Sequence, residues 1–144
     1  MATFERHAEV NWHGGLDGKG DAKAGTGAFT LPVTFASRIQ DPQGRTSPEE
    51  LMAAAHAACY AMALNATLGR KNASAERTVV TAKVTADLGT GITIQSSHLS
   101  VTVYGLKGVE PAQFEAVAQE AEKGCPVSNA YRGSLKITLD AKVG

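Results

Sequence analysis

The longest apolar stretch of the chain predicts one long helix. Residues 51–64 are apolar with the exception of one histidine. Directly before them, Ser47 stands at the N-cap position, Pro48 at N1 and Glu50 at N3, which is the pattern of a capping box with a first-turn proline. We expect the helix to end at Gly69 after about 31 Å. A helix that is apolar on every side is expected to be buried on every side.

Segments in which apolar and polar residues alternate predict strands on both sides of this helix. They cover residues 3–12, 20–24 and 28–35 ahead of the helix, and residues 77–87, 91–104 and 135–139 after it. Residues 77–87 and 91–104 are joined by a short glycine-containing turn and predict an antiparallel hairpin. Strands grouped around one long helix, without regular β-α-β alternation, predict an α+β fold in a single domain over residues 1–144.

Two further helices are predicted near the carboxyl end. Apolar residues recur at helical spacing between Pro111 and Gly124, and Gly124 is a typical helix stop. Pro126 then favours a short helix through Tyr131. Cys125 would be the N-cap of that short helix.

Composition and charge narrow the class of protein. The chain of 144 residues is 43% hydrophobic and 19% charged, with 14 basic and 14 acidic residues. A net charge of zero gives no field that would attract nucleic acid or anionic lipid. The apolar run of residues 51–64 is shorter than the ~20 residues that span a bilayer, and acidic residues occur where a signal peptide would be apolar. We therefore expect a cytoplasmic protein that binds neither nucleic acid nor membrane.

The two cysteines are the residues best suited to chemistry. A lone cysteine in a helix is usually a small buried hydrophobe. Here, however, Cys59 follows His56 by three residues on the same helical face, and Cys125 occupies a helix entry, where the dipole favours a thiolate. Together they indicate a dithiol site, and the absence of a C-x-x-C pair argues against zinc. His56 is badly placed to act as a base for Cys59, so we interpret it as a packing or interface residue and expect no cofactor.

The helix entry also offers a candidate ion pair. Residues 36–46 are rich in proline, glycine and polar residues, so we expect a loop, and it carries Arg38 and Arg45. Glu50 serves the capping box and leaves Glu49 free to pair with either arginine. Both arginines could equally be solvated loop charges.

Three segments carry a resemblance to a known family. The sequence SPEEL at 47–51, AAHAACYAMAL at 54–64 and GCPVS at 124–128 closely resemble the OsmC/Ohr family of bacterial osmotically inducible and organic hydroperoxide resistance proteins. The similarity covers nearly the whole chain, and the AHAAC core is similar to the OsmC branch. The resemblance implies an OsmC-like fold, with antiparallel strands packed around a long central helix in an intertwined homodimer.

The resemblance also implies an activity, namely a cysteine-based peroxidase that reduces organic hydroperoxides in oxidative or osmotic stress. By matching position, Cys59 would be the peroxidatic cysteine, Cys125 the resolving cysteine, and Arg38 and Glu49 the pair that activates the site. Arg45 is the competing arginine. A dithiol of the lipoyl type is implied as the reductant.

This assignment carries expectations about the pocket. Burial raises a thiol pKa, so a cation such as Arg38 is needed, held by Glu49 in a bidentate grip. The apolar helix face and rings such as Tyr60 would line a pocket that favours alkyl or lipid-like hydroperoxides. Two alternatives remain: a dimer that binds a hydrophobic ligand without peroxidase turnover, and a purely structural dimer.

Helix geometry predicts how such a site would be assembled. Glu49 and Cys59 are ten residues apart, or ~15 Å along one helix, so they cannot touch within it. Either the Arg38 loop folds back along the helix, or a two-fold partner supplies its own Glu49 and Arg38. The fully apolar helix favours the second arrangement, an obligate homodimer with shared sites.

Overall fold

The computed structural model describes residues 2–144 and has the α+β composition predicted from the pattern. Its strands are β1 Ala8–His13, β2 Lys19–Ala24, β3 Thr30–Val33, β4 Arg77–Asp87, β5 Thr93–Tyr104 and β6 Lys136–Val143. Its α-helices are α1 Phe35–Ile39, α2 Pro48–Arg70, α3 Phe114–Lys123 and α4 Pro126–Tyr131, and one 3₁₀ turn covers Pro111–Gln113. The chain divides into a unit that ends at Leu51 and a second unit, Met52–Gly144. The single domain over residues 1–144 stays a prediction.

The first unit contains an antiparallel sheet in the order β1-β2-β3, followed by α1. The prediction of a loop over residues 36–46 was wrong at its start, because α1 covers four of those positions. Thr34 caps this helix: its hydroxyl accepts from the Ser37 N–H at 2.9 Å, and the Ser37 hydroxyl accepts from the Thr34 N–H at 3.1 Å. This reciprocal cap has serine at N3 instead of the usual Glu or Gln, so the sequence pattern did not reveal it.

Helix α2 begins as predicted and ends later. The Glu50 N–H donates to the Ser47 hydroxyl at 3.1 Å, but the Glu50 carboxylate accepts from the Thr46 hydroxyl at 2.8 Å, so only half of the predicted capping box forms. At the other end, Gly69 is inside the helix. The αL residue is Asn72, with φ of 55°, and the Ala73 N–H bonds back to the Leu68 carbonyl in a Schellman arrangement.

The core of the second unit lies along one face of α2. Tyr60, Leu64 and Leu68 are fully buried there and belong to one cluster with residues of β5 and α3. The opposite face is apolar and open, with Met62 72% exposed. The isolated chain buries only the stripe of α2 that faces its own sheet and α3. Burial of α2 on every side would need a second copy of the chain and stays a prediction.

The second sheet has the order β4-β5-β6. Strands β4 and β5 form the predicted antiparallel hairpin. Strand β6, however, pairs parallel to β5, so the expectation of antiparallel strands throughout was wrong for this pair. A parallel pair needs a long crossover, and the segment between β5 and β6 supplies it with α3 and α4.

Helix α2 also meets the size and hydropathy of a membrane span. It has 23 residues, and an 18-residue window has a mean hydropathy of 1.3, with 28% of the window buried. The apolar character of α2 therefore extends beyond the fourteen residues 51–64 that the sequence pattern singled out. Core helices satisfy the same criterion, and Leu64 and Leu68 of α2 lie in the core cluster of the second unit.

Candidate active site

The two cysteines lie together in the second unit. Both are free thiols, and Cys125 is completely buried in the core cluster, while Cys59 is partly exposed and packs against that cluster. As predicted, Cys125 is the N-cap of α4, and its sulfur accepts from the Ser128 N–H at 3.5 Å. The backbone N–H of Val127 acts on the Cys59 sulfur and lowers the pKa of its thiol. The first amides of α4 therefore serve both sulfurs.

The surroundings of Cys59 act in both directions on its pKa. Burial, the largest effect, raises the pKa of the Cys59 thiol, the Val127 N–H lowers it, and the adjacent Cys125 thiol raises it again. The net change is upward. Because the thiolate is the nucleophile, the second unit alone holds Cys59 in its less reactive form, and a cation is needed to reverse the shift.

His56 bridges strand β5 and helix α4. It is completely buried, with Nδ1 2.6 Å from the Ser97 hydroxyl of β5 and Nε2 2.7 Å from the Ser128 hydroxyl of α4. Tyr131 packs edge-on to its ring at 5.3 Å. Burial lowers the pKa of His56. The interpretation of His56 as a packing residue is confirmed, and its contacts hold the start of α4 in place.

A cleft of about 320 Å³ opens at Cys59. Its lining comes from one face of α2 and from the α3–α4 junction: Cys59, Met62, Ala63, Ala66, Thr67, Arg70, Ala121, Gly124 and Pro126. Tyr60 is not among them. It is completely buried and its hydroxyl donates to the Ala118 carbonyl at 2.9 Å, so the expectation that its ring lines the pocket was wrong.

The predicted ion pair forms in the first unit. Arg38 Nε lies 2.6 Å and 3.0 Å from the two carboxylate oxygens of Glu49. Both bonds come from one nitrogen, so this is not the two-nitrogen bidentate grip expected from the sequence. The Ser37 hydroxyl, 2.8 Å from the Thr46 carbonyl, joins α1 to the segment that enters α2. Arg45 is exposed, and in the described part of the chain it makes no salt bridge.

Metal ligation finds no support in the side-chain arrangement. No group of three or more His, Cys, Asp or Glu residues within residues 2–144 could hold a metal ion.

Comparison with known proteins agrees with the α+β architecture of the structure. The family model described as OsmC-like protein matches residues 41–140. Peroxiredoxin OsmC of Escherichia coli is 34% identical over 141 residues, which cover 96% of each chain. The organic hydroperoxide resistance protein OhrA of Bacillus subtilis is 31% identical over 140 residues, which cover 92% of this chain and 93% of that protein.

The chain belongs to the OsmC-like protein family. Among solved structures, an organic hydroperoxide resistance protein OsmC from Legionella pneumophila superposes with a TM-score of 0.76 at 26% identity, covering 99% of this chain and 100% of that one. The α+β OsmC-like fold is thereby confirmed. The intertwined homodimer stays a prediction.

Two parts of this OsmC-like site escaped the sequence analysis. The Val127 amide follows directly from the predicted cap, because the N–H groups of a first helical turn have no partner inside the helix. Arg70 lies eleven residues after Cys59, a spacing that returns to nearly the same side of a helix. That spacing was visible in the sequence, and it would have placed a cation on the cysteine's face.

Proposed function

We propose that this protein is a thiol-dependent peroxidase that reduces organic hydroperoxides to alcohols in stress defence. The observation that carries the proposal is the adjacency of the two thiols: Cys59 lines a cleft, and Cys125 is completely buried at the N-cap of α4. Relatives named peroxiredoxin and organic hydroperoxide resistance protein support it.

The reaction divides between the two thiols. The Cys59 thiolate attacks the terminal oxygen of the hydroperoxide, the O–O bond breaks, and the alkoxide leaves and is protonated to the alcohol. Cys59 is then a sulfenic acid. The Cys125 thiol condenses with it, releasing water and forming a disulfide. An external dithiol reduces this disulfide and restores both thiols.

The Arg38–Glu49 ion pair would supply the cation that the second unit lacks near Cys59. Burial raises the pKa of the Cys59 thiol, and a guanidinium close to the sulfur would lower it and stabilise the departing alkoxide. Arg38 is our candidate, held by Glu49 through Nε. Its two terminal nitrogens make no hydrogen bond within residues 2–144 and could face the thiolate or the peroxide.

A homodimer would bring the Arg38–Glu49 ion pair of one chain to Cys59 of the other. Glu49 and Cys59 stand ~15 Å apart along α2, so a partner copy is the economical source of the ion pair. The exposed apolar face of α2, represented by Ala54, Ala58 and Met62, supports a partner that covers it. The exposed side chains of Val10 and Leu16 in the first unit also support an apolar contact with a partner.

The cleft at Cys59 is mainly apolar and therefore suits alkyl and lipid-like hydroperoxides better than hydrogen peroxide. For the reductant we propose a lipoyl-type dithiol, and for the location the cytoplasm, where such thiols stay reduced.

Peroxide consumption tests the function directly. The protein is incubated with cumene hydroperoxide and either dihydrolipoamide or the thioredoxin system. We expect catalytic consumption with dihydrolipoamide, and loss of two titratable thiols per chain when the peroxide is added alone. A dimer that merely binds a hydrophobic ligand, or is only structural, would keep both thiols.

A further inference from the structure

A cavity of about 280 Å³ lies on the sheet of the first unit. Its lining comes from β1, β2, β3 and the segment just before α2: His13, Lys19, Gly20, Asp21, Pro32, Val33 and Arg45. None of these residues takes part in the chemistry proposed for the two thiols. Ligand pockets usually measure about 300 to 1,000 Å³, so an occupant of this cavity would be a small molecule or the charged end of one.

The register of the sheet explains why charged side chains meet in this cavity. His13 pairs directly with Lys19 across β1 and β2, and the side chains of directly opposed residues point to the same face. Asp21 follows Lys19 by two positions, so it lies on that face too, and it is paired with Pro32 of β3. The register therefore places an imidazole, an ammonium and a carboxylate group side by side.

Arg45 reaches the same cavity through the turn that precedes α2. Its N–H donates to the Pro42 carbonyl at 3.0 Å, closing a turn in which Gly44 has a φ of 78°. The N–H of the next residue, Thr46, donates to the Pro32 carbonyl at 2.8 Å. The backbone at Arg45 is therefore anchored beside β3, and its side chain lines the cavity.

The charges in this cavity are not neutralised within the protein. No salt bridge among residues 2–144 involves Lys19, Asp21 or Arg45. Two cations stand against one carboxylate, and His13 adds a ring N–H donor. The whole chain has 14 basic and 14 acidic residues, so this excess of positive charge is local. The three basic side chains are exposed, so an anion in solvent can reach them.

We propose that this cavity binds a phosphate group, either inorganic phosphate or the phosphate of a small phosphorylated metabolite. The Arg45 guanidinium can donate two parallel N–H groups to phosphate oxygens, and Lys19 supplies a second, compact charge. A phosphate carries close to two negative charges at neutral pH, which matches two cations better than a single carboxylate ligand would. Asp21 repels the anion and therefore limits the affinity.

Calorimetric titration of the intact protein tests the proposal, with inorganic phosphate, ribose 5-phosphate and uncharged ribose as probes at one ionic strength. We expect the wild type to bind both phosphates, one per chain, and not ribose. Arg45→Gln and Lys19→Gln each weaken this binding about tenfold or more, whereas Asp21→Asn strengthens it. Lys23→Gln is the matched control, because Lys23 lies on the same face of β2 outside the lining, and it changes the affinity less than about twofold.

The two phosphate probes also distinguish the sources of the ligand. Tighter binding of ribose 5-phosphate assigns the site to a phosphorylated metabolite, and equal or weaker binding assigns it to the free anion. An unchanged urea midpoint shows that each variant is folded. A wild type that binds neither phosphate at about 10 mM, or equal weakening in Lys23→Gln and Arg45→Gln, would overturn the proposal.

Discussion

Arg38 and Glu49 form an ion pair in which a single nitrogen, Nε, contacts both carboxylate oxygens, at 2.6 Å and 3.0 Å. The side chains are 28% and 13% exposed, so the pair is partly shielded from water. Its geometry fixes the guanidinium plane and leaves both terminal nitrogens for another acceptor. Arg45, seven residues further on, has no such partner in the described chain.

The first prediction separates these two arginines. Arg38→Ala lowers peroxidase activity at neutral pH about 100-fold, because it removes the charge that stabilises the thiolate and the leaving alkoxide. It also moves the midpoint of Cys59 alkylation to higher pH by about one unit or more. Arg45→Ala changes neither quantity. Equal losses in the two variants, measured by cumene hydroperoxide consumption and iodoacetamide rates, would mean that Arg38 is not the site arginine.

The second prediction concerns shared sites. In a mixed dimer of Cys59→Ser and Glu49→Ala chains, one site combines an intact Cys59 with an intact Glu49, and the other site lacks both. We expect each variant alone to be inactive, and co-refolded mixed dimers to recover about half of the wild-type sites. Activity is measured on heterodimers purified through two different tags.

A control shows that the recovered activity depends on the Cys59 thiol. Mixed dimers of Cys59→Ser with Cys59→Ser/Glu49→Ala chains contain no Cys59 thiol and should stay inactive. A monomer by light scattering, or inactive heterodimers of verified composition, would rule out sites shared between chains while leaving the chemistry of Cys59 untouched.

The third prediction uses the buried histidine. His56→Leu leaves the Ser97 and Ser128 hydroxyls buried without their partner, so the free energy of unfolding falls by about 2 to 4 kcal/mol. Urea denaturation measures it. His7→Gln, which changes an exposed histidine, is the matched control and should stay within about 0.5 kcal/mol of the wild type.

The fourth prediction is the pH dependence that follows from His56. Burial lowers the pKa of His56 in the folded protein, so below about pH 6.5 the unfolded chain binds a proton that the folded chain does not. The stabilisation is complete above that pH and is lost as the pH falls towards the folded pKa. We expect the urea midpoint of the wild type to decline as the pH falls below about 6.5, and we expect a smaller decline in His56→Leu. An equal decline in both proteins would mean that other groups cause it.

The sequence predicted best those elements whose ends are set by local chemistry. The start of α2 at Pro48 and the role of Cys125 as the N-cap of α4 both follow from capping residues and first-turn prolines. The hairpin of β4 and β5 follows from alternation around a turn. The family resemblance, carried by motifs around both cysteines, indicated the fold that the comparisons confirm.

Features that depend on tertiary packing were not predictable in the same way. Alternation cannot tell that β6 pairs parallel to β5, because the pattern within a strand is the same for either direction. Tyr60 has an apolar ring, and only the fold shows that it points into the core, where its hydroxyl reaches the Ala118 carbonyl. Helix α1 was hidden because its cap, Thr34 with Ser37, resembles ordinary loop composition.

The central claim is that Cys59 is oxidised first and Cys125 resolves it, and mass spectrometry after one equivalent of cumene hydroperoxide tests this most directly. The wild type should lose about 2 Da and contain a Cys59 to Cys125 disulfide in a non-reducing peptide map. Cys125→Ser should gain about 16 Da on Cys59, as a sulfenic acid that dimedone traps, and then stop. Cys59→Ser should remain unmodified. Turnover at the wild-type rate in Cys59→Ser, or a peroxide-treated wild type without that disulfide, would contradict the account.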